Sequence, residues 1–137
     1  MRWTPVAFLW SAAVLAGADS NPIEFFEKRV QPVLSANCFT CHSASKLGGL
    51  RLDSREGMLV GCKSGPAIVA VRSAESLLFQ VVNHMHPRLK MPPQGKLSAG
   101  EIADLRRWID EGAHWPGATV GAASKPDPKS HWAFQAV

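Results

Sequence analysis

The sequence has no block of like charge, no internal repeat and, beyond residues 1–18, no apolar run long enough to cross a membrane. The dispersed charge argues against a nucleic-acid face. Lys28-Arg29, Arg51, Arg55, Arg72, Arg88, Lys90 and Arg106-Arg107 never gather into a basic stripe. The balance of 15 Lys+Arg against 11 Asp+Glu, net +4, therefore reads as a solvated surface, and no nucleic-acid partner is expected. Cysteine is scarce. There are three, an odd number, so complete pairing into disulfides within the chain is excluded.

What is present begins with an export signal. Arg2 precedes the run Val6-Ala7-Phe8-Leu9-Trp10 to Ala13-Val14-Leu15, and Ala16-Gly17-Ala18 fits a small-residue cleavage site. The run is short for a bilayer span. Residues 1–18 are thus expected to be a signal peptide, which places the protein outside the cytoplasm, in the periplasm or cell envelope. The alternative is an uncleaved anchor. A chain of 137 residues leaves room for one small domain.

Along that domain the pattern is helical. Asn21-Pro22-Ile23-Glu24 reads as a helix start, with Asn21 as cap, Pro22 in the first turn and Glu24 reaching back. Phe25, Phe26, Val30, Val33 and Leu34 follow at near-helical spacing, and Pro32 predicts a kink or a second helical piece. Leu50-Arg51-Leu52 is expected to be a short strand inside a glycine-rich stretch. A further helix starts near Ser73, with Leu77, Leu78, Val81 and Val82 on one face. Residues 84–96 read as a proline-rich loop. Ser98-Ala99-Gly100-Glu101 is a capping box, followed by the stripe Ile102, Leu105, Trp108 and Ile109 and by Gly112 as a C-terminal stop. Residues 19–116 form the expected domain. Residues 117–137 are Gly/Ala/Ser/Pro/Lys-rich and read as a linker.

Cys38-Phe39-Thr40-Cys41-His42 matches C-x-x-C-H, the attachment pattern for c-type haem. One helical turn separates the sulfurs to match two porphyrin vinyl groups, and His42 then addresses the iron as proximal ligand. Two other readings remain at this point. A thioredoxin-like redox pair does not require the following His. A zinc site would recruit further ligands from Cys62, His84 and His86. If haem is bound, the sixth ligand is expected from Met91, a soft thioether before Pro92-Pro93, with His86 the leading rival and His84 and Met85 nearby. The Pro66 carbonyl is a candidate acceptor for the second ring nitrogen of His42.

Taken together, these segments resemble the planctomycete-type cytochrome c domain. The likeness runs from Val30-Gln31-Pro32-Val33-Leu34 and the haem motif through Gly48-Gly49-Leu50-Arg51-Leu52-Asp53-Ser54-Arg55 and Ser64-Gly65-Pro66-Ala67-Ile68-Val69. It closes on Lys90-Met91-Pro92-Pro93 and Trp108-Ile109-Asp110-Glu111-Gly112-Ala113-His114-Trp115-Pro116. The resemblance implies an all-α, cytochrome c-like helical fold around one covalent haem c. It implies Cys38 and Cys41 as attachment points and His42 and Met91 as iron ligands. It also implies single-electron exchange with a redox partner protein, and no catalytic site beyond that. A haem-based sensor, or the redox module of a larger exported enzyme, is the alternative. In proteins of this type a segment like His131-Trp132-Ala133-Phe134 leads into further domains, so more of the full-length protein is expected beyond it. Cys62 departs from the pattern and is expected to remain a free thiol.

Overall fold

The computed structural model describes residues 21–117. The expected signal peptide, its cleavage site and nearly all of the expected linker lie outside the described residues.

The first helical stretch is one column in three parts. Asn21 Oδ1 accepts from the Ile23 amide at 2.9 Å and caps α1 (Pro22–Phe25). Glu24 pairs with Lys28 rather than reaching back to the cap. A π-helical turn, Phe26–Val30, follows, and α2 (Gln31–Asn37) continues from it. The π turn accounts for Pro32. A proline inside a regular helix loses its amide bond and its ring strikes the carbonyl four residues back. The widened turn restarts the ladder so that Pro32 falls in the first turn of α2, where no amide donor is required. The expected interruption is therefore present, as a π turn rather than a break. Phe25, Phe26, Val30, Val33 and Leu34 are all buried.

After α3 (Phe39–His42) the chain turns through a 3₁₀ segment, Leu47–Gly49, into extended Leu50-Arg51-Leu52. No strand forms there, or anywhere among the described residues. Leu52 does bury its side chain, and its amide bonds the His42 carbonyl at 2.7 Å, but no neighbouring segment offers a ladder. Ser54 caps α4 (Arg55–Val60), its hydroxyl accepting from the Gly57 amide. A second 3₁₀ turn, Ser73–Glu75, leads into α5 (Leu77–Val82), which buries Leu78, Phe79, Val81 and Val82.

The final helix, α6 (Ala99–Asp110), carries the expected capping box between Ser98 and Glu101. It ends on a full Schellman motif, with the Ala113 amide on the Trp108 carbonyl and the Gly112 amide on that of Ile109. Gly112 takes φ +106°, as the stop requires. The stripe of α6 packs on the π turn. Phe26 and Trp108 rings lie 5.6 Å apart, Trp115 closes the cluster 4.4 Å from Phe26, and Trp108 is 1 % exposed. Trp108 Nε1 donates to the His114 carbonyl at 2.8 Å, so the buried indole leaves no unmet donor.

Candidate functional site

The C-x-x-C-H segment sits where the first column ends. The Cys38 amide still bonds the Leu34 carbonyl at 2.8 Å, but its backbone (φ −124°, ψ −41°) breaks the helix axis. The Cys38 carbonyl then accepts from both Cys41 (3.2 Å) and His42 (2.9 Å), which winds the motif into one tight turn. Leu52 clamps the far side of that turn through the His42 carbonyl. The motif is thus fixed at both ends by backbone bonds, with its side chains left to do chemistry.

Those side chains divide sharply. Cys38 is buried and Cys41 exposed, and neither is in a disulfide. Burial, followed by the neighbouring Cys41, pushes the Cys38 thiol up to about 11. Such a position favours a sulfur without charge, either a thiol or a thioether. The Nδ1 of His42 is buried and has no hydrogen-bond partner. The expected bond from this nitrogen to the Pro66 carbonyl is not made. Pro66 is exposed and is instead pressed against the backbone of Gly61, where a Cβ would lie 2.4 Å from Pro66 Cα and 2.1 Å from the Gly65 carbonyl oxygen. The Gly-Pro turn is therefore a packing device, built around Gly61 at φ +71°.

The loop after α5 sorts the candidates for the sixth ligand. Met91 is half-buried against the hydrophobic core, and its amide bonds the Val81 carbonyl at 3.1 Å. Pro92 beside it is buried. Met85 is 66 % exposed, and its sulfur accepts from Asn83 Nδ2. His86 Nδ1 accepts from the amides of Leu89 (3.0 Å) and Arg88 (3.3 Å). An acceptor Nδ1 obliges a neutral ring to carry its proton on Nε2, which leaves no lone pair for iron. The leading rival to Met91 is thus occupied in holding the loop. The Nε2 of His84, a lesser candidate in the sequence, is buried and without a partner.

Zinc finds no support in this arrangement. Among the described residues no group of three or more His, Cys, Asp or Glu is placed to hold a metal ion, so Cys62, His84 and His86 do not join the motif cysteines. Cys62 lies half-buried in a tight turn, its amide paired with Gly65, and is unpaired as a thiol.

The segment Arg51 to Arg55, read first as part of a resemblance, proves to be scaffolding. Arg51 forks onto Asp53 at 2.9 and 2.8 Å. The hydrogen bond from Arg51 holds the Asp53 carboxyl below the usual carboxylate range. Arg55 reaches across to α6 and donates to the carbonyls of Ala113 (2.9 Å) and Gly112 (3.3 Å). It brings a cation to the negative end of that helix.

Among the described residues the domain is helical, has no strand and carries a C-x-x-C-H turn, consistent with an all-α cytochrome c-like module. Residues 38–95 match the family model for planctomycete cytochrome C, which supports a planctomycete-type cytochrome c domain. Among curated proteins and among solved structures, nothing matches. The family implies haem c. The residues here fit that group. They offer two unpaired thiols and a histidine within one turn, and a half-buried thioether in the loop after α5.

Proposed function

We propose that this protein is an exported c-type cytochrome that carries one covalent haem and passes single electrons to and from a redox partner protein. The observation that carries the reading is the motif turn itself: the amides of Cys41 and His42 both hang from the Cys38 carbonyl, and neither cysteine is in a disulfide. When bound, the haem supplies an iron that alternates between two oxidation states one electron apart. The chain does the rest. Cys38 and Cys41 would hold the ring as thioethers, each thiol adding sulfur to one vinyl carbon and hydrogen to the other. His42 would hold the iron through Nε2. Met91 would supply a thioether ligand, and a Met/His pair would raise the reduction potential. Val81 and Pro92 anchor the loop that carries Met91. The core of Phe26, Leu34, Leu105 and Trp108 holds the helices together.

The test is a redox titration of protein matured with haem in an exported expression system. Transfer predicts a single one-electron transition, a low-spin spectrum in both states, and slow, weak carbon monoxide binding at neutral pH. A ferrous form that is five-coordinate and binds carbon monoxide at once would overturn transfer in favour of gas sensing.

A further inference from the structure

Among the polar side-chain atoms of the described residues, two are buried without a partner: His42 Nδ1 and His84 Nε2. The first belongs to the motif. The second has no use in the reading above. A buried nitrogen left unsatisfied is destabilising, so it calls for an explanation.

The backbone ties His84 to the same carbonyl as the expected ligand Met91. The Val81 carbonyl accepts from the amides of both His84 (3.2 Å) and Met91 (3.1 Å). The two residues therefore hang from one oxygen at the end of α5. His84 stands two positions past that helix, in a left-handed turn at φ +59°. Met91 stands nine positions past it, at the far side of an open loop. The remaining donors of the loop are spent: Met85 is exposed and bonded to Asn83, and His86 Nδ1 takes two amides. Only Met91 and His84 combine an inward position with a free donor atom.

We propose that His84 is a reserve axial ligand, which binds the haem iron through Nε2 when the Met91 sulfur leaves. The inference rests on the haem reading above. In the exchange the Met91 sulfur–iron bond breaks and a nitrogen–iron bond forms; the imidazole keeps its proton on Nδ1, and no electron moves. His84 stands closer along the chain to α5 than Met91 does, so it can stay near the helix end when the Met91 sulfur departs. Replacing thioether by imidazole lowers the reduction potential, so the exchange would make the reduced protein a stronger electron donor.

The test compares haem-loaded Met91→Ala with the double variants Met91→Ala/His84→Asn and Met91→Ala/His86→Asn. Asparagine tolerates the left-handed backbone at residue 84 and is a poor iron ligand. Met91→Ala should lose the sulfur-to-iron(III) absorption band but remain low-spin, with the electron paramagnetic resonance signature of two nitrogen ligands and a lower potential. Adding His84→Asn should turn it high-spin and strengthen carbon monoxide binding by about tenfold or more, since no internal ligand must first leave. Adding His86→Asn should change neither. His84→Asn alone should keep the sulfur band. A high-spin Met91→Ala, or a double variant at residue 84 that stays low-spin, overturns the proposal. So does loss of the low-spin state in His84→Asn alone, which would make His84 the resident ligand. Unaltered protein without covalent haem would instead overturn the haem reading itself.

Discussion

The C-terminus of α6 and the turn at Cys38–His42 treat polar groups in opposite ways. At the end of α6 the freed carbonyls are met by the Schellman pair and by Arg55, the indole nitrogen of Trp108 by His114, and the Asp110 carboxylate by the amide and hydroxyl of Ser73. At the motif turn and the loop after α5, two imidazole nitrogens are buried with nothing to bond. A fold that completes its bonding at one end has no general shortage of partners. The gaps therefore lie with the C-x-x-C-H turn and the loop after α5, the two segments that the proposed function uses. It follows that changes around α6 should alter stability and leave the haem spectrum alone, whereas changes at the motif and loop should do the reverse.

Trp108→Ala attacks the satisfied region hardest. It empties a fully buried site against Phe26 and Trp115 and should lower unfolding stability by about 3–5 kcal/mol in a denaturant titration. The absorption spectrum of the folded haem-loaded variant should stay unchanged. A loss under about 1 kcal/mol would place the ring outside the core.

Arg55→Ala removes two bonds from a cation to the end of α6 and should cost about 2 kcal/mol, again without a spectral change. Arg55→Lys should recover only part of this, because one ammonium cannot reproduce the fork. Equal stability of Arg55→Ala and the unaltered protein would show that the interaction is spent on solvent-exposed geometry.

Ser98→Ala opens the capping box at the other end of the helix, with an expected loss of about 1 kcal/mol. Hydrogen exchange should accelerate in the first turn of α6 and not in its last. Uniform acceleration would contradict a local cap.

The smallest effect is on pH. The Ser73 backbone amide, chiefly, holds the Asp110 carboxyl below its ordinary value. Its contribution to stability is present above about pH 4, the unfolded carboxylate value, and is lost as pH falls through the depressed folded value. Asp110→Asn should flatten that part of an acid-unfolding profile. An identical profile in the variant would assign the acid sensitivity elsewhere.

The parts of this protein written in local signals were legible in its sequence. Ser98 and Glu101 announced their capping box, Gly112 its stop, and Trp108 and Phe26 their apolar stripes, because each depends on residues within a turn or two. The C-x-x-C-H turn was legible for the same reason. Features that depend on distant partners were not. Leu50-Arg51-Leu52 has the alternation of a strand but meets no second strand. Arg55 gives no sign in the sequence that it reaches a helix end more than fifty positions away. Pro66 was expected beside His42, and the strain-free packing of Gly61 draws it elsewhere. His84 and His86 are indistinguishable as letters. Only the folded loop shows that two amides occupy the ring of His86 and that none reaches Nε2 of His84.

The most direct test is the intact mass of the haem-loaded protein under denaturing conditions, with Cys38→Ala and Cys41→Ala beside it. One haem should travel with each unfolded chain, held by two thioethers, and the double cysteine variant should release all of it into acidified solvent. A denatured chain at its bare polypeptide mass, with the haem free in solution, would contradict the account.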